Sequence, residues 1–297
     1  MKTLIKNISS LVTINAHTKK ALIGSEMQNI SEIKAAALFF DEKILWLGTS
    51  KEATEKLEKQ EIIPDKIIDA TGKTIIPGFV DSHTHIVFAG SRSEDFARRL
   101  RGVSYQQIAS EGGGILRTMS ATRAATLDEL VEVGIKLGKN ALKHGTTAIE
   151  VKSGYGLTLE SEIKQLQAIK ELKKELPLHI SSTFLGAHDF PPEYKDNHQK
   201  YIDIICNEML PKVAEEQLAE FCDVFVDEGY YTLEQGEQIL QNALDLGFKL
   251  KVHADELACF GSAQLAASLG AVSADHLLFI SDEGIDALQK AGTVATL

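Results

Sequence analysis

Apolar and polar positions divide this chain into two textures. Before about residue 75 the apolar stretches are short or alternating, at 11–14, 35–40, 44–47 and 66–68, and polar turns such as Asp41-Glu42-Lys43 separate them. Alternation with a period of two buries one face of a strand, so residues 1–74 read as a small β-domain of sandwich type, with one brief helix near 51–59. Thr71-Gly72-Lys73 reads as its hinge, and Pro77-Gly78 marks entry into the second region. From residue 75 to 297 the pattern becomes strand, loop, helix, repeated, with strands expected at 75–82, 146–151, 178–184, 222–226, 248–252, 271–274 and 293–297. Thr126 with Glu129 and Thr232 with Gln235 have capping-box spacing, and Gly145, Gly247 and Gly292 stand where helix ends need a left-handed residue.

Repeated βα units imply a parallel sheet covered by helices, which an open doubly wound sheet and a closed barrel both satisfy. The position of the polar residues favours the barrel. His83 and His85, Lys152 and Tyr155, His188, His253 and Glu256, and His276 all follow strand candidates, and (β/α)8 barrels gather their sites at that face. No GxGxxG follows the first of these strands to support a dinucleotide fold. A barrel needs eight strands and the pattern supplies seven, so the expectation is a TIM-like barrel cut before strand eight in a C-terminally truncated chain.

Composition narrows the class of partner. Of 297 residues 44% are hydrophobic, enough for a sizeable core, and 42 acidic against 31 basic residues give a net charge of -11. With no basic cluster, that balance argues against nucleic acid and anionic membranes and leaves a small molecule as the expected partner. No apolar run approaches the roughly 18 residues of a membrane helix, the first thirty residues lack a signal-peptide core, and Cys206, Cys222 and Cys259 show no zinc-type pairing. The chain therefore reads as cytoplasmic and reduced, its cysteines as small core residues.

The chemistry concentrates at Asp81-Ser82-His83-Thr84-His85, directly after the apolar run 75–80. Two histidines one residue apart at a strand end point the same way and can bind one metal ion from a rigid base. Val252-His253-Ala254-Asp255-Glu256 and Ala274-Asp275-His276, each after a β-type run, are candidates for the rest of the site.

His83-Thr84-His85, His253 and His276, in this order behind a small β-domain, resemble the amidohydrolase superfamily of metal-dependent hydrolases. Arg92-Ser93-Glu94-Asp95-Phe96, the runs 99–105 and 111–115, Lys152-Ser153-Gly154-Tyr155-Gly156-Leu157 and Phe184-Leu185-Gly186-Ala187-His188 narrow the resemblance to the imidazolonepropionases, over essentially the whole chain from about Gly72. The resemblance implies hydrolysis of a cyclic amide, 4-imidazolone-5-propanoate, to N-formimidoyl-L-glutamate. It implies one zinc or iron ion on His83, His85 and His253, with a fourth ligand, an aspartate, on strand eight. It places His276 near the metal to polarise the carbonyl, and Arg92, Tyr155 and His188 on the substrate's tail and ring. A homodimer is compatible with it.

Glu256, three residues beyond His253, is the expected acid/base, within reach of water and leaving nitrogen. Two-metal relatives often carry a bridging carboxylated lysine on strand four; that strand here, 222–229, holds no lysine, and Lys152 lies on strand two, so one ion is the better reading. Each assignment has a plainer competitor: Glu256 as a solvated carboxylate at a helix start, Arg92 as a surface partner of Glu94 or Asp95, Tyr155 as a packed loop aromatic. His17, His144, His179 and His198 read as ordinary loop or helix-end residues. Gly112-Gly113-Gly114 reads as a hinge or a mobile loop, and Arg98-Arg99-Leu100-Arg101 as a helix end with salt bridges. Two other functions stay open, a nucleobase deaminase-like amidohydrolase and an inactive truncated fragment.

Overall fold

The alternating segments near the N-terminus build one mixed sheet. A computed structural model describes residues 1–14 and 22–297, and His17 lies outside the described residues. The chain separates into two units, Met1–Gly78 and Phe79–Leu297. In the first unit β1 (Thr3–Val12), β2 (Glu32–Phe40), β3 (Ile44–Thr49), β4 (Lys66–Asp69) and β5 (Thr74–Ile75) form a sheet of order β3-β2-β1-β4, with β5 also paired to β1. β2 runs antiparallel to β1, and β4 and β5 run parallel to it. Among the described residues the layer over Leu4, Ala37 and Phe39 is a helix, α1 (Ser50–Glu58), which contributes Ala53, where the sequence pattern implies a sandwich. Helix α1 begins at Thr49, whose hydroxyl accepts from Glu52 N while the Glu52 carboxylate accepts from Thr49 N.

The second unit is the βα repeat. Its strands are β6 (Phe79–Asp81), β7 (Thr146–Lys152), β8 (His179–Ala187), β9 (Phe221–Val226), β10 (Lys249–Ala254), β11 (Ser273–His276) and β12 (Val294–Thr296). They form one seven-stranded parallel sheet in sequence order from β6 to β12, so every strand presents its C-terminal end to the same side. The helices are α2 (Ser93–Leu100), α3 (Tyr105–Ser110), α4 (Gly114–Ala124), α5 (Leu127–Lys143), α6 (Leu159–Glu175), α7 (His198–Ile204), α8 (Leu210–Glu215), α9 (Leu233–Asp245), α10 (Ser262–Ser268) and α11 (Asp282–Ala291). Leu130, Leu166, Ile169 and Leu172 bring α5 and α6 into the core against Ile149 and Val151 of β7. The capping boxes at Thr126 and Thr232 are formed, and Gly145, Gly247 and Gly292 have φ of 95°, 89° and 76°.

Three local readings change. The apolar run 75–82 is not one strand: Ile75 ends the first unit's sheet, and the barrel-type strand starts only at Phe79, after Pro77, which has no N–H to give a ladder. Gly112-Gly113-Gly114 opens α4, with the buried Asp95 carboxylate accepting from Gly114 N at 2.9 Å. Cys206 and Cys222 are buried, but Cys259 is exposed and not a core residue. Arg98, at the end of α2, pairs with Glu111.

Candidate active site

Parallel strands in sequence order deliver the candidate residues to one end of the sheet. β6 stops at Asp81, so His83 and His85 stand in the loop after it rather than on the strand itself. Lys152 ends β7 and Tyr155 lies three residues on; His188 follows β8; His253 sits in β10 with Glu256 in the loop beyond; His276 ends β11. The histidine rings form a cluster, His83 being 4.6 Å from His253 and 4.7 Å from His276, and His85 5.0 Å from His188.

One ring nitrogen from each of His83, His85 and His253 lies within 4.8 Å of the others, a three-imidazole donor set of the kind that holds zinc or iron. Three features fit a metal. The His85 Nδ1 is buried with no hydrogen-bond partner. Burial, reinforced by His188 and His253, holds the His85 imidazole well below its usual range, and burial lowers His253 against the pull of Asp223, which favours in both rings the neutral form that a metal requires. Carboxylates also back two of the rings. His83 Nδ1 lies 2.7 Å from Asp275 Oδ2, and His253 Nδ1 lies 3.0 Å from Asp223 Oδ2, off the line of a well-aligned hydrogen bond. Such carboxylates fix ring orientation and leave Nε2 as the ligand atom.

Beneath the histidines lies a buried charge cluster. Lys152 Nζ contacts Asp223 Oδ2 at 2.7 Å, Glu150 Oε1 at 2.8 Å and Asp275 Oδ2 at 3.5 Å; Lys251 Nζ contacts Glu150 Oε2 at 2.8 Å and Asp275 Oδ2 at 3.4 Å. Burial alone would discharge Lys152, but Asp223, Glu150 and Asp275 raise its amine above its ordinary range and keep it an ammonium. A charged amine already committed to three carboxylates is not available for carboxylation, and the two ammoniums occupy the acidic group that Glu150 and Asp275 form with His83. The sequence reading missed Glu150, Asp223 and Lys251, and named Asp275 only within the candidate segment Ala274-Asp275-His276, without a role of its own. Their signal was a charge at every second position of an otherwise apolar strand, as in Ile149-Glu150-Val151-Lys152 and Leu250-Lys251-Val252-His253, which points inward on a parallel sheet.

Next to His85 a cavity of about 190 Å³ is lined by His85, Phe88, Arg92, Thr118 and Tyr155. Arg92 does not pair with Glu94 or Asp95, which contact Arg117 instead. Its Nε donates to Thr118 Oγ1 at 2.8 Å, its guanidinium lies 5.0 Å from the Tyr155 ring centroid, and Nη2 is buried without a partner. His188 is buried, its Nδ1 3.0 Å from the Gly154 carbonyl oxygen that accepts from it.

Glu256 is not at a helix start. It occupies the loop between β10 and α10, where the Asp227 carboxylate accepts from Glu256 N at 2.7 Å and Leu257 N at 2.9 Å. Burial first, and Asp227 second, raise its carboxyl above the usual range, and its Oε2 lies 3.6 Å from His276 Nε2. His276 is held down to about 3 by burial and by His253 and His83, hence neutral at pH 7. Its φ of 82° is a left-handed conformation that costs of order 1 kcal/mol or more for a side-chain-bearing residue. His144 caps α5 and His198 stacks on Phe190, and His179 opens β8, away from this cluster.

Residues 66–110 match a model of the amidohydrolase family. Imidazolonepropionase of Clostridium tetani (strain Massachusetts / E88) is 45% identical over 99% of this chain and 69% of its own length, and that of Symbiobacterium thermophilum (strain DSM 24528 / JCM 14929 / IAM 14863 / T) is 48% identical over 98% and 68%. This chain thus spans about two thirds of the length of these relatives. Among solved structures, 5-methylcytosine deaminase from Klebsiella pneumoniae, liganded with 5-fluorocytosine, superposes with a TM-score of 0.63 over 99% of this chain and 65% of its own, at 14% identity, a likeness of fold. With nearly half of all positions identical along almost its entire length, the chain belongs to the imidazolonepropionase family of amidohydrolases.

Proposed function

We propose that this chain carries the catalytic machinery for hydrolysing 4-imidazolone-5-propanoate to N-formimidoyl-L-glutamate, a step of histidine degradation, with one zinc or iron ion on His83, His85 and His253. The observation that carries the reading is the side-by-side placement of a three-imidazole donor set and an arginine fork with a buried, unpaired Nη2. A propanoate needs an always-charged bidentate donor, and Arg92 has donor capacity left after its bond to Thr118. Tyr155, under the guanidinium, closes the same cavity.

When bound, the metal supplies Lewis-acid activation of a water molecule as nucleophile. Glu256 takes the proton that this water gives up and delivers it to the ring nitrogen as the amide C–N bond breaks, so one residue serves as base and then acid. Its raised carboxyl suits both halves of that task. Neutral His276 donates a hydrogen bond to the ring carbonyl oxygen, on which charge develops. His188, its Nδ1–H given to Gly154, keeps Nε2 to accept from the ring's N–H.

The test is an assay of the full protein for conversion of 4-imidazolone-5-propanoate to N-formimidoyl-L-glutamate by mass spectrometry, with metal content by elemental analysis. Turnover with one ion per chain is expected. A protein that released ammonia from cytosine or another nucleobase and ignored the imidazolone would be a deaminase instead. The partner in this reading is the small-molecule substrate, and a homodimer is checked by sedimentation.

A further inference from the structure

The loop that carries Tyr155 is held in an unusual way. Its four consecutive backbone amides, residues 154–157, all donate to side chains of α6. Glu162 Oε2 accepts from Gly154 N at 3.0 Å and Oε1 from Gly156 N and Leu157 N, both at 2.8 Å; Gln165 Oε1 accepts from Tyr155 N at 3.1 Å. Both side chains are fully buried. A buried carboxylate without a cation is costly unless hydrogen bonds replace its water, and here the loop's own amides do so.

The loop is bent to suit. Gly154 has φ of 104°, and a Cβ there would come within 2.9 Å of Leu185 O and 3.0 Å of His188 Nδ1; at Gly156 a Cβ would meet the backbone of Ser161 and Glu162 at 2.6 to 2.7 Å. The same bend aims the Gly154 carbonyl at His188 Nδ1. On the other side, Gln165 Nε2 donates to Val87 O at 2.7 Å, tying α6 to the segment between His85 and Arg92. Two residues one helical turn apart therefore reach three substrate-facing groups: Tyr155 through its own amide, His188 through Gly154, and the His85–Arg92 segment through Val87.

We infer that Glu162, with Gln165, is a positioning residue for substrate recognition, fixing the Tyr155 loop and through it the His188 ring. This rests on the reading of Tyr155 and His188 as substrate-binding. A carboxylate on helix α6 that touches no substrate would then govern KM rather than kcat.

The experiment is steady-state kinetics of the full metal-loaded protein on 4-imidazolone-5-propanoate for Glu162→Gln, Tyr155→Phe and the double variant. Glu162→Gln keeps the side chain's shape and one acceptor oxygen but removes the charge and turns the other oxygen into an NH2 donor facing backbone N–H groups. We expect KM to rise about tenfold or more, the scale of a lost charge-assisted hydrogen bond, with kcat within about threefold. In the Tyr155→Phe background the same change should add less than it does alone, because part of its effect passes through Tyr155 and only the part that passes through His188 remains. A Glu162→Gln protein with lowered melting temperature but unchanged KM, or with effects that simply add to those of Tyr155→Phe, would reduce Glu162 to a structural role and overturn the inference. If Tyr155→Phe itself left KM unchanged, the substrate-site reading would be what failed. Should Glu162→Gln not fold, Gln165→Met, which removes the Tyr155 and Val87 bonds, replaces it with the same expected rise in KM.

Discussion

At the scale of single residues, Arg92 and Glu256 make separable contributions. Arg92→Ala removes a charged donor from the wall of the cavity beside His85, and a hydrogen bond to a charged group is worth about 2 kcal/mol, so KM should rise on the order of thirtyfold. The three histidines are untouched, and metal content should not change; equal affinity in the variant would remove Arg92 from the substrate site. Glu256→Gln should instead lower kcat by about 10² to 10⁴. The environment of Glu256 also sets a pH dependence. As a base it must be ionised, so kcat/KM rises with pH through its carboxyl, which burial and Asp227 raise above the ordinary value of 4.5. Asp227→Asn removes the negative neighbour, lowers that carboxyl, and should move the acidic limb of the kcat/KM profile to lower pH. An unmoved limb would mean that another group titrates there.

At the scale of elements, local rules were legible where the sequence alone supplies the physics. Capping-box spacing names both partners of a short-range pair, so the starts of α5 and α9 could be read at Thr126 and Thr232. Thr232→Ala should cost about 1 kcal/mol and lower the melting temperature by roughly 2 to 4 °C, measured by calorimetry; no change would mean that water replaces the hydroxyl without loss. Where an element depends on pairing, periodicity alone was a poor guide. Only the end of β1, Thr3–Val12, stood out, because its partners β4 and β5 lie far along the chain. One run, 75–82, serves two sheets; Pro77-Gly78 marked the entry into the second region, but apolar periodicity alone carried the expected strand straight across it. The candidate site divides in the same way. His83 and His85 were visible because two imidazoles one residue apart after an apolar run can share one ion, and His253 and His276 because they follow β-type runs in the order that the resemblance implies. Asp223 was given no role and Asp275 was named only beside His276: a charge within an apolar strand signals an inward-facing group, but its partner is known only from the cross-strand neighbours, as in the pairing of Lys251 with Asp223 and of His253 with Asp275.

At the scale of the whole molecule, no helix among the described residues is long and apolar enough to cross a membrane, and the feature that joins stability to function is the buried cluster of Glu150, Lys152, Asp223, Lys251 and Asp275. Two ammoniums among three carboxylates tie β7, β9, β10 and β11 together directly below the histidines they orient. Removing one partner of a buried ion pair leaves the other uncompensated, so Lys152→Met should destabilise the protein by about 3 to 5 kcal/mol at pH 7. The sign of the pH dependence separates this from simple misfit. Burial opposes ionisation of both aspartates, yet His253 with Lys152 holds Asp223, and His83 with Lys152 holds Asp275, well below the ordinary carboxyl value of 3.8. Their contribution is therefore complete above that value and is lost only as pH falls through the depressed folded ones. Without the ammonium, burial is opposed only by His253, His83 and Lys251, so both folded carboxyls shift upward and the variant's deficit narrows as pH falls and they take up protons. Melting temperatures of the two metal-free proteins, followed from pH 7 to pH 4, should accordingly converge. A gap that stayed constant would locate the loss in packing around the Lys152 side chain rather than in its charge.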